Sequence, residues 1–216
     1  MMHLKGGRLA GAAAVVGVAG LLIAGCGQQQ AAGNASAAGN SKPKSTTTTP
    51  APQKVSYNWT VVDGGNALHP KWPFFSQDGK NPFPATLNLP ANAVITLTIK
   101  NYDDGGGDVP AAYAKVTGTV GNVETVNGKQ ESSFSASGVI AHTFTVAELG
   151  LNIPLVAATD QGSTVVPSVT VVTFKTPAKA GTYTWQCMQP CGSGAGGWGG
   201  AMTTAGWMAG SVQIGD

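Results

Sequence analysis

The chain has 216 residues, a formal net charge of +2 and only 10% charged residues. That length suits one folded domain with short flanking segments. No paired carboxylates, nucleophile elbow or phosphate-binding loop stands out, which argues against hydrolytic and nucleotide chemistry.

Taken in order, the first segment is not part of a fold. Lys5 and Arg8 give a positive start, and Leu9 to Ala24 form an apolar run of signal-peptide length. The run is short for a membrane span of about 20 residues. It ends in Ile23-Ala24-Gly25-Cys26, which resembles the lipobox of bacterial lipoproteins. The resemblance implies a signal peptide over 1–25, a lipid on Cys26, and an extracytoplasmic domain anchored to the cell membrane. From Cys26 onward, ten lysines face ten acidic residues with no arginine, and Lys42 and Lys44 fall before the folded part. No basic patch survives, so nucleic acid is not an expected partner.

Residues 26–53 are dominated by Gln, Ala, Gly, Asn, Ser, Thr and Pro. Such a segment buries too little apolar surface to offset the entropy of ordering, and it is expected to be a disordered tether. The folded domain is expected over 54–216. Within it, Val55 to Val62 is β-branched and aromatic, and Val94 to Ile99 alternates with period two. Further strand signals lie at Val139 to Val146, Val165 to Phe174, Thr182 to Cys187 and Ser211 to Ile214. Ala147 to Gly150 suits one helical turn, and Gly64 to Leu87 reads as a long covering loop. No segment has sustained helical periodicity, so the expected fold class is an all-β sandwich or barrel.

The C-terminal segment carries the chemistry. Its strand signal delivers Cys187 and Cys191 onto a loop, and Met208 follows before the last strand. With Cys26 committed to lipid, this pair stands outside the cytoplasm, where it forms a disulfide or a metal site. Cysteine and methionine, with a histidine upstream, are ligand types that suit copper.

Two segments carry a family resemblance. Val139-Ile-Ala-His142-Thr-Phe-Thr-Val-Ala-Glu-Leu-Gly150 resembles the first copper-ligand segment of cytochrome c oxidase subunit II and related cupredoxins. Gly181-Thr-Tyr-Thr-Trp-Gln-Cys187-Met-Gln-Pro-Cys191-Gly192 resembles the second. The resemblance implies a cupredoxin-like Greek-key β-sandwich, with copper held by His142, Cys187, Cys191 and Met208 and by the backbone carbonyl of Gln189. It also implies electron transfer near a respiratory chain, with a respiratory redox protein as partner.

The family continues from its second cysteine to a second histidine and then a methionine. Here the residues after Cys191 are Gly192, Ser193, Gly194 and Ala195, and counting back from Met208 gives Ala205. The second histidine is missing. One nitrogen with several sulfurs favours Cu(I), and Met202 and Met188 are further candidate donors. The copper count, one or two, stays open. Three readings follow: a copper site that carries electrons or stores and delivers Cu(I), a site completed by His69, and a metal-free interaction module pinned by a Cys187–Cys191 disulfide. An enzyme in its own right is not expected.

Other residues have plainer readings. His69 sits in a turn-like Leu-His-Pro setting that suits loop packing. The five tryptophans suit core or loop packing, although Trp198 and Trp207 flank the glycines and would also suit shielding or docking. Asp103 to Asp108 lacks EF-hand spacing and reads as a solvated turn.

Overall fold

The computed structural model describes residues 51–64 and 72–215, which fall in one compact unit, Thr48–Asp216. The signal segment, Cys26, most of the tether and His69 lie outside the described residues. The strands, in chain order, are β1 (Gln53–Val62), β2 (Phe74–Ser76), β3 (Thr86–Pro90), β4 (Ala93–Asn101), β5 (Glu124–Val126), β6 (Lys129–Glu131), β7 (Ile140–Val146), β8 (Leu151–Val156), β9 (Thr159–Asp160), β10 (Val165–Val166), β11 (Ser168–Lys175), β12 (Gly181–Gln186) and β13 (Ala209–Gly215). Among the described residues the only helical pieces are short 3₁₀ turns, and no helix is long and apolar enough to cross a membrane.

Two sheets enclose the core. One has the order β2-β1-β4-β11-β5-β6 and the other β3-β13-β12-β7-β8, with β9 and β10 forming a separate small ribbon. Parallel pairs β1·β4 and β3·β13 sit among antiparallel ones. Strands adjacent in sequence therefore cross between sheets, as in a Greek-key, cupredoxin-like sandwich. The expected all-β class is the class observed.

Alternation explains the strands that pattern made visible. On β4, Ala93, Ile95, Leu97 and Ile99 point inward, and on β11 Val172 and Phe174 do the same. Each buried aliphatic side chain of this size contributes about 1.5–3 kcal/mol of transfer free energy. Trp59, Phe75, Phe83, Phe144 and Trp185 fill the middle with ring centroids 4.9–5.9 Å apart, mostly edge to face. Such geometry adds to their area burial because ring edges and faces carry opposite partial charge.

The structure refines the expectations in four places. The covering loop contains β2 and its end runs into β3. Strand β8 was not foreseen because Leu151 to Leu155 are all buried, leaving no alternation to read, and Pro154 interrupts the strand pattern. Its place at a sheet edge tolerates a proline, which lacks the donor a central strand needs. The run Val165 to Phe174 is broken at Pro167 into β10 and β11. The expected turn at Ala147–Leu149 is present, and Gly150 closes it with φ 63° while donating its N–H to the Ala147 carbonyl.

Candidate metal centre

Strands β4 and β12 end, and β7 begins, at one rim of the sandwich. In the β7–β8 pairing, Ile140 faces Val156 and His142 faces Leu155, which leaves Ala141 as an extra residue. Such a bulge re-aims the side chain that follows it. That side chain is His142, which is fully buried. Strand β12 ends at Gln186 and hands Cys187, also fully buried, onto the next loop. The loop folds back on itself: the Cys187 N–H donates to the Met208 carbonyl (2.8 Å), and the Met208 N–H donates to Ala201 (3.2 Å). Its glycines have steric reasons. A Cβ at Gly192 would collide with the Gly199 carbonyl, and Gly200, at φ 59°, packs against the Trp72 ring.

The donor atoms converge. The ligand atoms of His142, Cys187 and Cys191 all lie within 4.8 Å of one another. Cys187 Sγ is 3.8 Å from His142 Nδ1 and 3.8 Å from Cys191 Sγ, so both thiols are free. The Met202 thioether lies 3.3 Å from Cys191 Sγ, on a 3₁₀ turn at Gly200–Thr203. The Gln189 carbonyl lies 3.3 Å from Cys187 Sγ. Met208, the predicted thioether donor, is fully buried in the same core cluster as Cys187 and Met202, and its carbonyl accepts the Cys187 N–H. Met188 is half-buried, its N–H donating to Thr143 Oγ1 (2.8 Å).

Neighbouring residues hold these donors in place. The Thr143 N–H points at Cys187 Sγ (3.4 Å) while its hydroxyl takes the Met188 N–H. That hydroxyl continues to Thr145 (2.8 Å), and Thr145 donates to Asn152 Oδ1 (2.6 Å). The Asn152 amide then donates to the Tyr113 and Lys115 carbonyls. Because Thr145 spends its one proton on Asn152, the Thr143 hydroxyl must donate to Thr145. The Gln189 amide is satisfied with its nitrogen donating to Ala141 (3.2 Å) and Pro190 (3.0 Å).

Asp103 is the member that the acidic run concealed. Read as part of a solvated turn, its side chain is instead only 16% exposed, with Oδ2 2.9 Å from His142 Nε2. One sequence signal points to it. The inward positions of β4 run Ala93, Ile95, Leu97, Ile99, Asn101, and Asp103 continues that period of two.

The electrostatics follow from these contacts. Burial opposes charge on His142, but hydrogen bonds from its ring to Asp103 and Cys187, and their charges, outweigh it and raise the ring to about 9. Burial likewise opposes a thiolate at Cys187. The Cys191 thiol, the His142 ring and the Thr143 N–H overcome it and hold Cys187 well below an ordinary thiol. Cys191, donating to Cys187 and itself partly buried, is held well above one. Asp103 is lowered despite its burial because His142 and the Gly105 N–H bind its carboxylate.

The donor set tests the fit to a metal. The Cys187 thiol donates to the Gln189 carbonyl (3.3 Å), so a sulfur and an oxygen donor already face each other there. The donors are one imidazole nitrogen, two cysteine sulfurs and a thioether, a set that fits copper and leaves its type open.

In class, fold and donor set define a cupredoxin-like sandwich with a histidine–cysteine site at its rim. No family model matches the sequence, and no curated protein matches it. Among solved structures it is similar to the copper protein rusticyanin, with 17% identity over 75% of this chain and 78% of that one and a TM-score of 0.36. Rusticyanin from Thiobacillus ferrooxidans gives 19% identity, 75% and 77% coverage and 0.32. The multicopper oxidase Fet3p, which functions in iron import, gives 15% identity and 0.34, over 76% of this chain but 23% of that one. Likenesses this weak carry no argument, and the fold and site rest on strand order and donor atoms.

Proposed function

We propose that this chain is an extracytoplasmic copper protein that carries electrons, anchored to the membrane through lipid on Cys26 and working near a respiratory chain. The observation that carries the copper reading is the convergence of His142, Cys187 and Cys191 within 4.8 Å, with the Met202 sulfur 3.3 Å from Cys191. Bound there, copper supplies one-electron chemistry. The protein supplies a water-poor pocket whose donors are held before the metal arrives, which limits rearrangement between oxidation states. Anchoring rests on the lipobox-like Ile23 to Cys26. The respiratory setting rests on the resemblance to subunit II, from which this chain departs by one histidine. The role is that of a carrier or binding protein, not an enzyme.

A second reading is Cu(I) storage or delivery. One nitrogen against three sulfurs favours the soft ion. Both readings meet the same test. The full chain is loaded with copper, and metal content and visible spectra are recorded. A thiolate-to-Cu(II) absorption lost in Cys187→Ser supports electron transfer. Tightly bound Cu(I) with a silent spectrum supports delivery. No bound copper and no titratable thiol would leave a disulfide-pinned interaction module. Incorporation of labelled fatty acid, lost in Cys26→Ser, tests the anchor.

A further inference from the structure

Asp103 is held more firmly than a surface turn requires. The Asn101 amide donates to the Asp103 carbonyl (3.1 Å) and to the Val156 carbonyl (2.8 Å), while Asn101 Oδ1 takes the Asp103 N–H (3.1 Å). The Ala158 N–H also donates to the Asp103 carbonyl (2.8 Å). One fully buried amide thus ties β4, the loop beyond it and the end of β8 together. On the side chain, Oδ1 takes the Gly105 N–H (2.8 Å), which leaves Oδ2 for His142 Nε2 (2.9 Å).

The consequence lies in the geometry of a five-membered ring. Its two nitrogens sit on different edges, so fixing one fixes the direction of the other. With Nε2 bound to Asp103, Nδ1 is the nitrogen that faces the sulfurs, 3.8 Å from Cys187. A ring turned over about its Cβ–Cγ bond would present carbon to the carboxylate. Among the described residues His142 is the one imidazole at this site, and its orientation decides which of its nitrogens faces a metal.

We propose that Asp103 is a positioning residue that presents His142 Nδ1, rather than Nε2, to the copper site. The carboxylate fixes Nε2 as a donor, so the lone pair available to a metal lies on Nδ1. Outer partners of this kind are worth 10–100-fold in metal affinity. The assignment of a metal rests on the copper reading above; the choice of ring nitrogen does not.

The test compares the full chain with Asp103→Ala, Asp103→Asn and Asp103→Glu. Cu(I) affinity is read by anaerobic competition with a chromophoric Cu(I) chelator at one pH. Ring nitrogens are read by ¹⁵N NMR with and without Cu(I), and thermal unfolding of the metal-free proteins reports any general loss of structure. The expected result is a 10–100-fold loss of affinity in Asp103→Ala, partial recovery in Asp103→Glu, and Cu(I)-induced shifts confined to Nδ1 in the parent chain. The metal-free parent should also show a slowly exchanging Nε2–H that Asp103→Ala abolishes. Unchanged affinity with Nδ1 still ligating in Asp103→Ala would overturn the proposal, as would Nε2 ligation in the parent. If the parent binds no Cu(I), the copper reading fails, while the Nε2–H signal still decides for or against Asp103.

Discussion

The sandwich buries ionisable groups in two places and treats them in opposite ways. At the rim, Asp103, His142, Cys187 and Cys191 each face a partner, and contacts reverse the penalty of burial for three of the four. On β5, Glu124 is 2% exposed, shares the inward face with Val126, and neither of its carboxyl oxygens has a hydrogen-bond partner. Burial alone pushes it up to about 9. Depth does not decide whether a charge survives inside this protein; partners do. The rim is built to keep charge and donors ready, and β5 tolerates a carboxyl only by keeping it neutral.

The largest expected effect comes from removing a rim partner. Cys187→Ser should abolish high-affinity copper binding and any thiolate absorption. It removes the sulfur that links His142 to Cys191, and the hydroxyl that replaces it is a harder donor. Metal content after gel filtration checks this, and copper retained at the parent level would break the contrast from the rim side.

On the β5 side the contrast becomes a pH dependence. The folded state keeps the Glu124 proton up to about 9, while the unfolded chain loses it near 4.5. Between those values the folded state binds more protons, so its stability falls as pH rises, by up to about 1.4 kcal/mol per unit, and levels above 9. Glu124→Gln removes this slope and should unfold later than the parent by a few kcal/mol at pH 8. Denaturant unfolding at pH 5 and pH 8 measures it. Parallel curves for the two proteins would mean that Glu124 has a partner after all.

Much of this architecture was legible in the sequence where chemistry or period was local. Period two exposed β4, β-branched and aromatic composition exposed β1, and the two motif segments exposed His142, Cys187 and Cys191. Met202 was less visible than Met208 because its approach depends on how a glycine loop folds back, which spacing does not encode. Asp103 was hidden for a different reason. An Asp/Gly-rich run looks solvated until the inward parity of β4 is extended two residues past its end. Strand β8 left no trace because a strand buried on both faces has no alternation.

Smaller effects sharpen the rim further. Thr145→Val keeps the shape but removes the donor to Asn152 and the acceptor for Thr143. It should cost about 1–3 kcal/mol of stability, while copper stoichiometry stays at the parent value. Chemical denaturation with a metal assay separates the two, and loss of copper in this variant would make the threonine chain part of the site. Trp198→Ala should change stability by less than about 0.5 kcal/mol, because its side chain is 41% exposed. A larger loss would show that the glycine loop depends on Trp198 packing.

The central claim is that this rim holds copper through one nitrogen and a majority of sulfur. X-ray absorption at the copper edge of the Cu(I)-loaded full chain reads that shell directly. The expected spectrum is a sulfur-dominated shell with a single imidazole contribution that His142→Ala removes. A shell of nitrogen and oxygen only, or an imidazole signal that survives His142→Ala, would contradict it.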